Sequence, residues 1–288
     1  MKTFDYIILG HQNPDVDSIV SGYLLEQYLN RCGYVSKFMI PDSVIDEENL
    51  RVCRKYDLDP MEFQGSLPDL KNQKYILVDH HERDVVGEVV AVLDHHPTSK
   101  DIVLPYYRNE RFSSTACMIV EDKEISFTKE EIELAVLATM IDTVSFHSSK
   151  TVDRDISWVE RMVEKYQFDF SKLYDDGLCL TDISNPTSFL THGLKEYHFG
   201  DKNVAASYVS LLYPEQISER LSSVFPLLQN YVSDHDLELF AFIINDMTEF
   251  QSSVYYVTSS DVVKRDFDHF VSRGNEIIPE IEKKLLKK

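Results

Sequence analysis

Residues 4–18 read FDYIILGHQNPDVDS, an apolar run followed at once by a polar loop. The run has the composition of a short buried strand, and the segment from Ser18 to Leu29 has the apolar spacing of a helix. The stretch therefore predicts a strand, a loop and a helix in succession. The residues of this loop that could carry chemistry are His11, Asp15 and Asp17.

Two further apolar runs, Tyr75 to Val78 and Val89 to Leu93, each lead directly into an Asp-His-His triplet. Continuous apolar runs without alternation are typical of parallel strands that are buried on both faces. The carboxyl ends of parallel strands meet at one edge of a sheet, where ligands of such sheets collect. We therefore expect Asp79 and Asp94 to emerge at the same edge as the first loop.

A helix is predicted after residue 128. Thr128 and Glu131 have the spacing of a capping box, and apolar residues recur with helical period through Ile141. Asp142 comes at the far end of this helix. Strands and helices alternate to about residue 180, which predicts an α/β domain with a mostly parallel sheet flanked by helices.

The polar, turn-prone stretch from Thr181 to Ser188 is the candidate linker. We place the domain boundary there, with a catalytic domain at 1–183 and a substrate-binding domain at 184–288. The second domain is expected to be a smaller α+β unit. Its predicted strands are Val204–Leu212, Leu237–Asn245 and Ser253–Thr258, and its predicted terminal helix is Pro279–Leu286.

The composition bounds the function. A formal net charge of -20 disfavours a nucleic acid polymer as the main partner and suits clusters that hold divalent cations, although many proteins are simply acidic. The four cysteines have no CxxC spacing, and no apolar run reaches the roughly 18 residues of a membrane span. These features predict a cytoplasmic protein that is not embedded in a membrane.

The candidate site combines carboxylates and imidazoles without thiolates. Such donors suit Mn, Mg or Co, and bridging carboxylates allow two ions about 3.5–4 Å apart. Each aspartate taken alone could be only a helix N-cap. Three separate segments end in Asp or His, however, and charged groups that converge without a counterion are costly. A metal site is therefore the better interpretation.

Four motifs in this order resemble the DHH phosphoesterase superfamily, and specifically the family II, manganese-dependent inorganic pyrophosphatases. They are GHQNPDVDS at 10–18, LVDHH at 77–81, LDHHP at 93–97 and IDTVSFHSSKT at 141–151. FSSTAC at 112–117, LKEYHFGDKNV at 194–204 and the SRG and EIIP segments at 272–279 are also similar to this family. A GGGH-like motif, typical of the nanoRNase and oligonucleotide branch, is absent, which favours the pyrophosphatase branch.

The resemblance implies a hydrolase that uses two Mn²⁺ per chain, with Co²⁺ or Mg²⁺ as alternatives, on a small phosphate-containing substrate. It also implies a homodimer. The implied ligands are His11 and Asp15 for one ion, Asp17, His95 and Asp142 for the other, and Asp79 for both. The implied catalytic residues are His96, which would face the substrate phosphate, and Asp94, which would orient a ligand histidine; Arg273 would bind substrate. His80 is expected to be a supporting group. The role of His81 is open, because the family usually has Asn at this position.

The chain departs from the family pattern among the substrate-binding cations. Gly274 stands where the family has a lysine, and Asn185 or Pro186 aligns near another lysine. Each lost contact to phosphate would cost about 1.5–3 kcal/mol of binding free energy. A lysine at 274 would either restore a contact or strain a left-handed glycine conformation. One alternative is a DHH phosphoesterase or exopolyphosphatase that acts on short polyphosphate or another small phosphorylated substrate. The other is a metal-binding regulatory or scaffold protein with residual activity, against which the presence of all six implied ligands speaks.

Overall fold

The computed structural model describes residues 4–41, 44–67, 71–81, 83, 85–98, 102–148, 151–178, 193–211 and 215–285. The chain forms two compact units, Met1–Gly177 and Leu178–Lys288. The expected boundary at 183/184, the linker at 181–188 and residues 185 and 186 all lie outside the described residues. Within those residues, no helix combines the length and the apolar character that crossing a membrane would require.

The first unit alternates strands and helices. In chain order they are β1 (Tyr6–Leu9), α1 (Val16–Arg31), β2 (Ser36–Met39), α2 (Glu47–Lys55), a 3₁₀ turn (Pro60–Phe63), β3 (Lys74–Val78), β4 (Glu88–Asp94), β5 (Tyr106–Asn109), α3 (Thr115–Val120), a second 3₁₀ segment (Glu121–Ser126), α4 (Lys129–Asp142), α5 (Asp153–Tyr166) and α6 (Phe170–Leu178).

The five strands of this unit form one parallel sheet with the order β2-β1-β3-β4-β5. The centre of the sheet is buried on both faces: Ile7 and Ile8 are neighbours along β1 and both are fully buried. Tyr75, Leu77 and Val92 pack with Ile7 and Leu9 of β1 in one apolar cluster. The predicted α/β fold with a mostly parallel sheet is confirmed.

The helix boundaries follow local capping. Thr128 and Glu131 form the predicted capping box at the start of α4, with the Thr128 N–H donating to the Glu131 carboxylate at 2.9 Å. Helix α1 begins at Val16, two residues before the predicted start, because Asp15 caps it by accepting the Ser18 N–H at 3.0 Å. The helix ends before Gly33, whose φ is +92°.

Strand β5 was not predicted from the sequence. Its residues YYRN include a charged side chain and no continuous apolar run, because β5 is an edge strand that is only partly covered. Edge strands carry a weaker apolar signal than central strands do.

The second unit is an α+β unit, as predicted. Its elements are β6 (Lys195–Phe199), β7 (Lys202–Leu211), α7 (Glu215–Asp234), β8 (Leu239–Asp246), β9 (Gln251–Val257), β10 (Val262–Phe267), a π-helical turn (Arg273–Ile277) and α8 (Ile278–Leu285). The sheet order is β10-β9-β8-β7-β6, in which β7 and β8 run parallel and the other neighbours run antiparallel. Strands β6 and β10 and helix α7 were not anticipated.

Helix α6 is tied to the end of α2 by one carboxylate. Asp176 accepts hydrogen bonds from Lys55 Nζ and Lys172 Nζ, each at 2.8 Å, and from the Tyr56 hydroxyl at 3.1 Å. Its side chain is 16% exposed. Burial would raise the pKa of Asp176, but the bonds from Lys172, Lys55 and Tyr56 outweigh burial and lower the pKa to about 2.

We predict that Asp176→Asn lowers the free energy of unfolding by about 1–2 kcal/mol at neutral pH, because the charge-assisted bonds are weakened. Since the folded pKa lies below the unfolded value, this stabilisation is present above about pH 4 and is lost as the pH falls towards 2. Denaturant unfolding at several pH values measures both effects. The control is Asp175→Asn, at an exposed position of the same helix; equal losses in the two variants would contradict the prediction.

Candidate metal centre

The residues after the strands of the parallel sheet converge at its carboxyl edge. Asp79 follows β3 directly and has a φ of +64°, a left-handed conformation that is uncommon for a residue other than glycine. Its backbone N–H still donates to the Leu93 carbonyl at 2.9 Å, so the ladder continues while the side chain is redirected. The Asp79 side chain is buried.

The loop between β1 and α1 closes tightly on the start of α1. The His11 N–H lies 3.1 Å from the Ser18 hydroxyl. A Cβ at Gly10 would lie 2.3 Å from that same hydroxyl, so any larger residue there would displace the loop. The absence of a side chain at Gly10 therefore allows the loop to approach Ser18 closely, and this contact holds His11 at the sheet edge.

The first group of donors consists of His11, Asp15 and Asp79. His11 Nε2 lies 3.5 Å from Asp15 Oδ1 and 3.5 Å from Asp79 Oδ2. The His11 Nδ1 atom is 2.9 Å from the Gln12 carbonyl oxygen, which orients the ring. Asp15 is at once the N-cap of α1 and a member of this group, so both interpretations of this aspartate hold.

The second group consists of Asp17, His95 and Asp142. The buried His95 Nε2 makes no hydrogen bond within the described part of the chain. It lies 3.5 Å from Asp142 Oδ2 and 3.8 Å from Asp17 Oδ2, and 3.4 Å from Asp79 Oδ1. These distances from the buried ring nitrogen to three carboxylate oxygens leave enough space for a cation between them.

A third group combines Asp79 and His95 with His96, whose Nδ1 lies 3.7 Å from Asp79 Oδ1. Asp79 is therefore common to the first and third groups and close to the second. Each carboxylate oxygen of Asp79 faces a different histidine. This is the arrangement expected of a carboxylate that bridges two ions.

Helix α3 supports the buried carboxylates. Asp17 accepts the backbone N–H of Thr115 at 2.8 Å and that of Ala116 at 3.0 Å. The Thr115 hydroxyl donates to Asp79 Oδ1 at 3.0 Å. Thr115 lies in the FSSTAC stretch that resembles the family, but its contact with the site was not predicted from the sequence.

The pKa shifts of three residues at this site indicate that their surroundings favour positive charge. Burial opposes protonation of His11, but its contacts with Asp15 and Asp79 outweigh burial and raise its pKa to about 11. Burial is likewise outweighed at His95 by Asp79, Asp17 and Asp142, and its pKa rises to about 10. Burial raises the pKa of Asp17 well above its usual range, and the charge of Asp79 adds to this effect. A divalent cation bound here would replace the imidazole protons.

Asp94 is buried beside these groups and bonds two histidines. Its Oδ1 accepts from His96 Nδ1 at 2.9 Å, and its Oδ2 accepts from His81 Nδ1 at 2.7 Å. The Nδ1 of His95 lies 3.1 Å from the Phe112 carbonyl oxygen. Asp94 thus orients His96, a member of one donor group, whereas a backbone carbonyl orients His95. That Asp94 orients a metal ligand stays a prediction.

His80 has the surroundings of a supporting residue. Its Nδ1 lies 2.9 Å from the Val78 carbonyl oxygen. Burial lowers the pKa of His80 to about 4, which keeps the ring neutral. This residue is in none of the donor groups found among the described residues.

In the second unit, Arg273 donates to the Gly193 carbonyl oxygen, and its guanidinium lies 5.5 Å from the centre of the Tyr208 ring. Burial lowers the pKa of Lys195, and the positive charge of Arg273 lowers it further. Lys195 is therefore a second cation near Arg273. It was not predicted as a site residue, although it is the second residue of the LKEYHF stretch.

The position after Arg273 is open. Gly274 lies in the π-helical turn, and its φ is outside the left-handed region. Among the described residues, apart from its two chain neighbours, no heavy atom lies within 4 Å of a Cβ built on Gly274. The possibility that a lysine at 274 would strain the backbone is therefore ruled out by the backbone conformation.

Residues 5–141 match the family model described as the DHH family, N-terminal domain. This part of the chain is therefore similar to the N-terminal domain of the DHH family. The manganese-dependent inorganic pyrophosphatase of Methanocaldococcus jannaschii is 24% identical, over 96% of this chain and 98% of the relative. That of Bacillus subtilis is 26% identical, over 84% of this chain and 82% of the relative. The resemblance stated from the sequence motifs is confirmed.

A crystal structure described as a putative family II inorganic pyrophosphatase of Methanococcus jannaschii has the same fold. It superimposes with a TM-score of 0.67 at 22% sequence identity, and the match covers 96% of this chain and 98% of that one. The likeness of fold thus covers most of this chain and includes the region beyond residue 141.

We predict that Mn²⁺ raises the melting temperature of the metal-free protein, because a cation that binds only the folded state stabilises it. At a free concentration of about 100 times Kd, the gain is about 2.7 kcal/mol. Calorimetry with Mn²⁺, Co²⁺ or Mg²⁺ against a chelator measures it. Asp79→Ala should abolish most of the shift, whereas Asp175→Asn should keep it. No shift with any of the three cations would exclude the proposed type of site.

Proposed function

We propose that this chain hydrolyses inorganic pyrophosphate to phosphate, with two Mn²⁺ ions bound at the carboxyl edge of the parallel sheet. The observation that carries the proposal is the position of Asp79, whose two oxygens face the donor groups of His11 and His95. The relatives over nearly the full length of the chain are named manganese-dependent inorganic pyrophosphatases, which supports both the metal and the reaction.

The residues that would hold the ions divide into two sets joined by Asp79. His11 and Asp15 would complete one set, and Asp17, His95 and Asp142 the other. All the donors are carboxylate oxygens or imidazole nitrogens, a set that suits Mn²⁺ and also accepts Co²⁺ or Mg²⁺. Two such ions would lower the pKa of a water molecule and stabilise the charge that develops on the transferred phosphoryl group.

The remaining residues would bind and orient the substrate. His96 is 40% exposed and is held through its Nδ1 by the buried Asp94, so its outer edge can meet a phosphoryl oxygen. Arg273 can donate a charge-assisted hydrogen bond to phosphate, and Lys195 adds a second cation near it. Thr115 steadies Asp79 in the orientation that the two donor sets require.

Phosphate release tests the proposal directly. The metal-free protein should be inactive, and Mn²⁺ should restore hydrolysis of pyrophosphate. Asp79→Ala should lose more activity than Asp15→Ala, because Asp79 is shared by both donor sets whereas Asp15 belongs to one. Absence of phosphate release from pyrophosphate, tripolyphosphate and nucleotides, with all three cations present, would refute a phosphohydrolase function.

A second candidate is hydrolysis of short polyphosphate, and Gly274 favours it. The open space at this position could admit a longer chain of phosphates. The ratio of kcat/KM for tripolyphosphate to kcat/KM for pyrophosphate separates the two candidates, and a ratio well above one would identify polyphosphate as the better substrate.

We predict different consequences for the two histidines of the 94–96 triplet. His95→Ala should lose bound metal, because the buried His95 Nε2 faces three carboxylates. His96→Ala should keep both ions and lose kcat, because the more exposed ring would meet the substrate. Elemental analysis of the two purified variants measures the metal content. Equal depletion in both would contradict this division of roles.

We predict that Gly274→Lys lowers KM for pyrophosphate without lowering the melting temperature. The backbone at 274 accepts a side chain, and an ammonium beside Arg273 would add a charge-assisted contact of about 1.5–3 kcal/mol. Gly274→Met, which adds length without charge, is the matched control. An equal KM in the lysine and methionine variants would show that this position does not face the substrate.

A further inference from the structure

Two histidines share one buried carboxylate at the edge of the metal centre. Asp94 is fully buried, and it accepts from the Nδ1 atoms of His81 at 2.7 Å and of His96 at 2.9 Å. An ionised carboxylate only accepts, so each of the two rings carries a proton on Nδ1. The backbone N–H of His96 also donates to Asp94, at 3.0 Å.

The two oxygens of Asp94 have different partners. Oδ1 receives both bonds from His96. Oδ2 receives the short bond from His81, while the Asn109 side chain approaches it only at 3.5 Å and bonds the His96 carbonyl at 2.9 Å instead. Rotation of the carboxylate is therefore opposed chiefly by His81, the one group outside His96 that bonds Asp94 at short distance within the described part of the chain.

His81 itself is not one of the residues that would hold the ions. None of the donor groups among the described residues includes it, whereas His96 belongs to one of them. We propose that His81 is a positioning residue, which fixes the rotation of Asp94 and through it the ring of His96. This inference rests on the proposed function, in which His96 meets the substrate phosphate.

The chemical requirement at position 81 is a nitrogen donor one bond beyond Cγ. Asparagine offers its Nδ2 at the position of the histidine Nδ1, and aspartate offers an acceptor oxygen there with nearly the same shape. An asparagine therefore conserves the bond to Asp94, while an aspartate replaces it with repulsion between two carboxylates. Because asparagine and aspartate have nearly the same size, a comparison of His81→Asn with His81→Asp isolates the effect of the hydrogen-bond donor.

Four variants test the role: His81→Asn, His81→Asp, His81→Ala and, as an exposed histidine in the second unit, the control His235→Ala. With Mn²⁺ content and melting temperature unchanged, His81→Ala should lower kcat about tenfold, the order expected for loss of one hydrogen bond to a charged group. His81→Asp should lower it at least as far. His81→Asn should retain most of kcat, and His235→Ala should match the unchanged protein.

A double-mutant cycle shows whether His81 acts through His96. If it does, His81→Ala lowers kcat in the unchanged protein and has no further effect in the His96→Ala background. Losses that multiply in the double variant would overturn the proposal, and so would a His81→Asn variant as impaired as His81→Asp.

An NMR measurement that does not depend on catalysis tests this inference separately from the proposed function. In the metal-free protein, the Nδ1 proton of His96 bonded to Asp94 gives a downfield NMR signal that His96→Ala identifies. His81→Asn should keep the His96 signal, and His81→Asp should shift or lose it. An unchanged signal in His81→Asp would overturn the positioning role, whatever substrate the protein hydrolyses.

Discussion

The accumulation of negative charge around Asp79 is the constraint on which the rest of the site depends. Asp79 is buried at the end of a central strand, and Asp17 is buried nearby. Buried carboxylates are stable only when positive charge and hydrogen-bond donors surround them. The imidazoles of His11 and His95 supply that charge through protons, and divalent cations would supply it more strongly. The buried carboxylates at this edge of the sheet therefore need positive charge close to them.

The surrounding elements hold these acidic side chains in place with backbone groups. The first N–H groups of α3 donate to Asp17, and the carbonyl oxygen of Phe112 orients His95. Backbone groups move less than surface side chains do, so side chains fixed in this way keep their spacing. A site that binds cations benefits from this rigidity.

The resemblance to the family is expected to be weaker at the substrate-binding residues than at the metal ligands. All six implied ligands are present and gathered, whereas the position after Arg273 carries a glycine in an unstrained conformation. Lys195 restores part of the positive charge near Arg273. A change at position 274 would leave the six implied ligands undisturbed, since the two sets of residues lie on different units of the chain.

Several features were determined by the sequence alone. The apolar runs before Asp79 and Asp94 predicted parallel strands, and the 128–131 spacing predicted the capping box, because both signals are local and strong. The motif order predicted the DHH-family domain. Edge strand β5 could not be predicted in this way, because its partly exposed residues lack an apolar run.

Only the tertiary structure decided how the polar groups pair across elements. In the structure, His81 bonds Asp94 and Thr115 bonds Asp79. Lys195 lies close enough to Arg273 for their charges to interact. The backbone at Gly274 is not left-handed. These pairings depend on distances between segments far apart in the chain and on single dihedral angles. Residue type and spacing carry neither quantity.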